Sequence, residues 1–103
     1  MKYLYSLLTI VVTLNCSAYC ETGNPTASGV MPQVGMCAVD KINGQWVPFG
    51  SKIRILDQNV GIHELVVTDR FGDGRNNAMD IFMASEAECW EFGRRWLKCR
   101  IEM

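Results

Sequence analysis

His63 to Met83 reads HELVVTDRFGDGRNNAMDIFM, and this stretch carries most of the fold. His63 to Asp69 is a short run rich in β-branched residues that closes on an aspartate. Phe71-Gly72-Asp73-Gly74 is a glycine-rich connection. Ala78 to Met83 is a second run, with Asp80 set between apolar neighbours. Two strands joined by a turn are the expected result. Working outward, Lys52 to Asp57 (KIRILD) alternates polar and apolar residues, as a half-buried strand does. Val47-Pro48-Phe49-Gly50 reads as a turn into it, and Met36 to Asp40 as an earlier strand. Leu97 to Glu102 (LKCRIE) closes the chain as a fifth run, while Glu21 to Gly35 has the Gly23, Pro25, Gly29, Pro32 and Gly35 of a loop.

One helix is signalled. Ser85 and Glu88 form a capping box, and Glu86 lies in the first turn. Cys89, Phe92 and Trp96 give an apolar stripe with Ala87 and Trp90 beside it. Arg94 and Arg95 fall in the expected last turn, where cations suit the helix dipole. The helix is predicted to end near Trp96, with Gly93 inside it for close packing. Short strands with one helix read as an all-β fold, a small barrel or sandwich.

At 103 residues there is room for one domain, and 49% hydrophobic with 20% charged residues is a globular balance. Ten Lys and Arg against 11 Asp and Glu argue against a nucleic-acid partner, which needs a basic surplus. A single histidine excludes His-rich metal sites. The Asp69 to Gly74 stretch lacks the acidic ladder and closing Glu of a calcium loop. No cofactor or metal is expected. No run of 18 apolar residues offers a stable transmembrane span, and a monomer is expected.

The first residues, MKYLYSLLTIVVTLNCSA, place one cation before a mostly apolar stretch and end on small residues. This matches a secretory signal over 1–18, cleaved after Ala18, with a mature domain at 19–103. Export to the periplasm or the extracellular space follows. The alternative is a buried first strand, since Thr9 to Thr13 is rich in β-branched residues. Cleavage would remove Cys16 and leave Cys20, Cys37, Cys89 and Cys99, an even count suited to two disulfides whose pairing the sequence does not choose.

Aspartate is disfavoured in strands, yet Asp40, Asp69 and Asp80 all lie at or inside strand-like runs. Asp80, flanked by apolar residues, is the most anomalous. A carboxyl held there loses solvation, which raises its pKa toward the range of a general acid. Asp69 is expected to lie opposite it across a groove.

Five stretches together resemble the 3D domain, a bacterial and phage family named for three aspartates. Thr26-Ala27-Ser28-Gly29 is similar to its T-A-S-G segment, and Gly35-Met36-Cys37-Ala38-Val39-Asp40 to its G-x-x-A-V-D strand. Val47-Pro48-Phe49-Gly50-Ser51 is similar to its I-P-L-G-T turn. Val67 through Asp69, Arg70, Phe71 and Gly72 to Met79-Asp80-Ile81-Phe82 resembles its paired-aspartate hairpin, and Phe92-Gly93-Arg94-Arg95 its helix end. Ser17-Ala18-Tyr19 also resembles the S/T-A-Y strand preceding T-A-S-G in relatives. If so, either cleavage lies upstream or the first strand begins at Tyr19.

The resemblance implies a six-stranded double-psi β-barrel, related to membrane-bound lytic transglycosylase A, rare lipoprotein A and expansins. It implies peptidoglycan glycan strands as partner and lytic transglycosylase activity, with Asp80 as acid/base and Asp69 in support. Asp40 is expected to be structural or at the groove margin, with substrate in reach. Thr26 and Ser28 are expected on sugar hydroxyls, Arg70 and Arg75 on carboxylates, and Trp46 stacked on a ring. The rivals are a non-catalytic, expansin-like wall-binding or wall-loosening module and a two-aspartate hydrolase.

Overall fold

Thr9–Tyr19 forms β1, an eleven-residue strand in which inward Leu14 and Cys16 alternate with outward Asn15 and Ser17. It opens a computed structural model that describes residues 9–103. Then come β2 (Met36–Ala38), β3 (Lys41–Ile42), β4 (Gln45–Trp46), β5 (Lys52–Ile55), β6 (Glu64–Asp69), β7 (Ala78–Phe82), α1 (Glu86–Phe92) and β8 (Arg95–Glu102). Six strands close a barrel in the order β1-β7-β2-β6-β5-β8, and β3 and β4 form a separate hairpin. The expected all-β barrel with one helix is therefore present.

Two pairings, β1 with β7 and β2 with β6, are parallel; the other four barrel pairings are antiparallel. Exchanging β1 with β6, β2 with β7 and β5 with β8 maps every pairing onto one of the same sense. The connection from β1 to β2 must cross β7, and that from β6 to β7 must cross β2. These two interlocked crossings are the double-psi pattern. Both crossing loops return below as walls of the site.

Period-two alternation fills the interior. Leu14, Cys16, Cys37, Ile53, Leu65, Val67, Met79, Ile81, Cys99 and Ile101 are each at most 1% exposed. Phe92 is the buried residue of α1, and it packs on this core with part-buried Cys89.

The described part of the segment read as a leader, Thr9–Ala18, lies in β1 and pairs with both β7 and β8, as the alternative of a first strand has it, while residues 1–8 lie outside the described residues. Two expectations change. The helix stops at Phe92, not near Trp96, because Gly93 turns the backbone to φ 65° and its N–H caps the Cys89 carbonyl. Arg95 and Trp96 thus belong to β8, and Trp96 faces solvent at 67% exposure. The expected disulfides among Cys20, Cys37, Cys89 and Cys99 are not formed; all five cysteines are free thiols. Cys16, Cys37 and Cys99 act as small apolar core residues, and burial pushes the Cys37 thiol up. Asn43-Gly44, both at positive φ, make a two-residue turn between β3 and β4. Among the described residues no helix is long and apolar enough to cross a membrane.

Candidate active site

Strand register brings the two groove aspartates into one row. Asp69 of β6 faces Ala38 of β2, Ala38 faces Asp80 of β7, and Asp80 faces Ser17 of β1. Two strand spacings separate the aspartates, roughly 10 Å between backbones, with only the Ala38 methyl between them as floor.

Asp69 reaches that row through an irregularity. Leu65 and Val67 point into the core, so simple alternation would point Asp69 inward as well. The register shifts between Cys37 and Ala38, and pairing jumps from Val67 to Asp69. This bulge at Thr68 re-aims Asp69 onto the outer face.

The two carboxylates have opposite environments. Asp69 Oδ1 accepts the N–H groups of Ala27 and Arg70, both at 2.8 Å, and Oδ2 accepts the Tyr19 hydroxyl at 3.4 Å. Asp80 accepts one hydroxyl, from Ser17 at 3.0 Å. Burial pushes the Asp80 carboxyl above the ordinary aspartate range, with Asp69 adding to the effect; Ser17, Arg75 and Arg94 pull the other way. Tyr19 is itself pushed up by burial and by both aspartates. Its ring meets Phe82 edge-on at 5.4 Å, which fixes the hydroxyl beside the carboxylates.

No family model matches the chain, and no curated protein matches it.

The crossing loops wall the row. In the first, Thr26 is 4% exposed; its hydroxyl bonds the Val30 carbonyl at 2.8 Å and meets the Ser28 hydroxyl at 3.0 Å. Thr26 therefore ties the turn that delivers the Ala27 N–H to Asp69, while Ser28 stays exposed beside it. In the second loop, Arg75 bonds Asp73 at 2.9 Å and lies over Phe71.

Asp40 lies in the interior, away from the outward row. It is wholly buried, and its carboxylate accepts the N–H groups of Phe71, Gly74 and Arg75 at 2.8, 2.8 and 3.1 Å. Of its two expected places, structural or at the groove margin, this burial fits the structural one: Asp40 organises the loop that carries Arg70 and Arg75.

A cation–aromatic platform stands at the Asp69 end. Arg70 donates to the Val39 carbonyl at 2.7 Å, which holds its guanidinium 4.1 Å from the Phe49 ring centre and 5.6 Å from that of Trp46. Lys41 approaches Trp46 at 5.1 Å. Trp46 is 55% exposed, so part of the indole remains open to solvent beside a fixed cation. Of the residues expected at the site, Asp80, Asp69, Ser28, Arg70, Arg75 and Trp46 gather around this row. Ser17, Tyr19 and Ala38 join it without having been assigned a site role from sequence; the Ser17-Ala18-Tyr19 motif was the available signal.

Proposed function

We propose that this protein is a peptidoglycan lytic transglycosylase of the 3D-domain kind, acting in the cell envelope, with Asp80 as its general acid and base. The observation that carries this reading is the contrast between the carboxylates. Asp80 is half-buried with a raised affinity for its proton and a single hydroxyl partner, while three donors occupy Asp69.

A hydrolase needs a second carboxylate free to activate water or attack the sugar. Asp69, with Oδ1 doubly engaged by backbone N–H groups and Oδ2 by the Tyr19 hydroxyl, is less suited to that work than a free carboxylate. A lytic transglycosylase needs one. Asp80 donates its proton to the glycosidic oxygen as the C1–O4 bond breaks. The 6-hydroxyl of the same muramyl ring then attacks C1, forms the C1–O6 bond and returns its proton to Asp80. Atoms balance without water, and the product is a 1,6-anhydro end. Asp69, oriented by its three donors, stabilises the positive charge developing at C1. Trp46 offers a ring face, and Arg70 and Arg75 offer cations to lactyl or peptide carboxylates.

The Trp46–Arg70–Phe49 platform also favours a second reading, an expansin-like module that binds glycan without cutting it. Mass spectrometry of soluble products from purified peptidoglycan separates the readings. Anhydro ends support the transglycosylase, reducing ends a hydrolase, and wall retention without products the binding module.

A further inference from the structure

The row of outward residues does not stop at Ser17. In the antiparallel β1–β8 register, Asn15 faces Trp96 and Cys16 faces Arg95; one step further sets Arg94 beside Ser17. Arg94 also acts electrostatically on Asp80, so the two lie within reach of one field. Past Ser17, a cleft of about 370 Å3 opens between β1 and α1, bounded by Ser17, Ala18, Cys89, Trp90, Gly93 and Arg94. Trp90 is 80% exposed, the most exposed large hydrophobic residue among those described, and core packing does not account for it.

We infer that this cleft is a second glycan subsite, on the far side of Asp80 from Trp46, in which Trp90 stacks on a sugar ring and Arg94 pairs with the carboxylate of a muramyl residue. The inference rests on the glycan-cleaving reading above and names where the strand continues. A strand cut at Asp80 must extend on both sides of the scissile bond, and the row leads to an aromatic face and a cation at each end: Trp46 with Arg70, then Trp90 with Arg94. The α1 wall is built on rigid parts. Phe92 anchors the helix in the core, Gly93 ends it at φ 65°, and Arg95 locks the exit by donating to the Phe92 carbonyl at 2.9 Å. Arg94 has an exposed side chain and, among the described residues, no hydrogen-bond or ion-pair partner, which leaves it able to take a carboxylate.

Isothermal titration with the full chain carrying Asp80→Asn, which binds without cutting, tests the subsite. The probes are a peptide-free GlcNAc–MurNAc tetrasaccharide and chitotetraose, which lacks the lactyl carboxylate. Adding Arg94→Ala is expected to weaken the muramyl probe by about tenfold, the scale of a lost charge-assisted contact, and to leave chitotetraose unchanged. Adding Trp90→Ala is expected to weaken both probes by about tenfold. Trp96→Ala, also solvent-facing but outside the cleft, is expected to change neither. Parental affinity for both probes in the Arg94 and Trp90 variants would overturn the subsite and leave the transglycosylase reading standing. No binding of either probe by the Asp80→Asn protein would count against that reading, and the subsite would fall with it.

Discussion

Ser17 on β1 donates its hydroxyl to Asp80 on β7 at 3.0 Å, across the parallel pairing that sets the two residues side by side. The bond favours the charged carboxylate and so opposes the burial that favours the proton. Ser17→Ala removes it without opening the core. The proton on Asp80 is then held more tightly, and the alkaline limb of the pH–rate profile moves to higher pH. A limb that stays put, measured as initial rates of glycan cleavage from pH 4 to 8, would mean that Asp80 is not the titrating acid.

The same burial has a thermodynamic consequence. A folded-state pKa raised above the unfolded value means that the native state binds this proton more tightly than the unfolded chain does. The stability it contributes is full below the unfolded value and is lost as pH rises through the folded value. Charged Asp80 is thus a liability at neutral pH. Asp80→Asn is expected to raise the melting temperature at pH 7, and the gain is expected to shrink as pH falls through the raised value toward 3.8. Thermal melts of both proteins at a series of pH values measure this difference directly.

Asp40 has the opposite character, since three backbone N–H groups depend on it. Asp40→Ala strands those donors in a buried site and is expected to cost roughly 3–5 kcal/mol. Urea unfolding should register that loss, and activity should fall with the ordering of the Phe71 to Arg75 loop. Asp40→Asn, keeping one acceptor oxygen, should lie between the two.

The first strand makes a claim about processing. Leu14 and Cys16 are fully buried, and Ser17 is the partner of Asp80, so a protein beginning at Tyr19 loses core and site together. A 19–103 fragment is expected to lack a cooperative melt, whereas a chain beginning at Thr9 should keep one. Intact-mass measurement of the naturally processed protein should accordingly find Ser17 retained.

Period-two alternation in β5, β6 and β7 made most of the barrel legible, because one face of each strand is buried. Thr9 to Leu14 was ambiguous for a physical reason: the apolar, β-branched composition of a barrel strand also satisfies a leader. Trp96 sits at helical spacing from Cys89 and Phe92, yet Gly93 breaks the helix between them, and composition alone leaves open whether a glycine continues or caps. Asn43-Gly44 is a readable hairpin signal, and the hairpin it closes sets Trp46 opposite Lys41. The bulge at Thr68 left no such trace. Alternation points Asp69 inward beside Val67, and only pairing with β2 turns it outward. Asp80 could be singled out from its apolar neighbours, but its partner Ser17 lies 63 positions away and is found only through strand register.

Release of 1,6-anhydromuropeptides from purified peptidoglycan by the parent and by Asp80→Asn, at equal concentration and verified fold, tests the central claim most directly. Loss of the general acid should lower the rate by about 10²–10⁴-fold while the variant still binds the wall. Anhydro products formed by the variant at the parental rate would contradict the assignment of Asp80 as the acid.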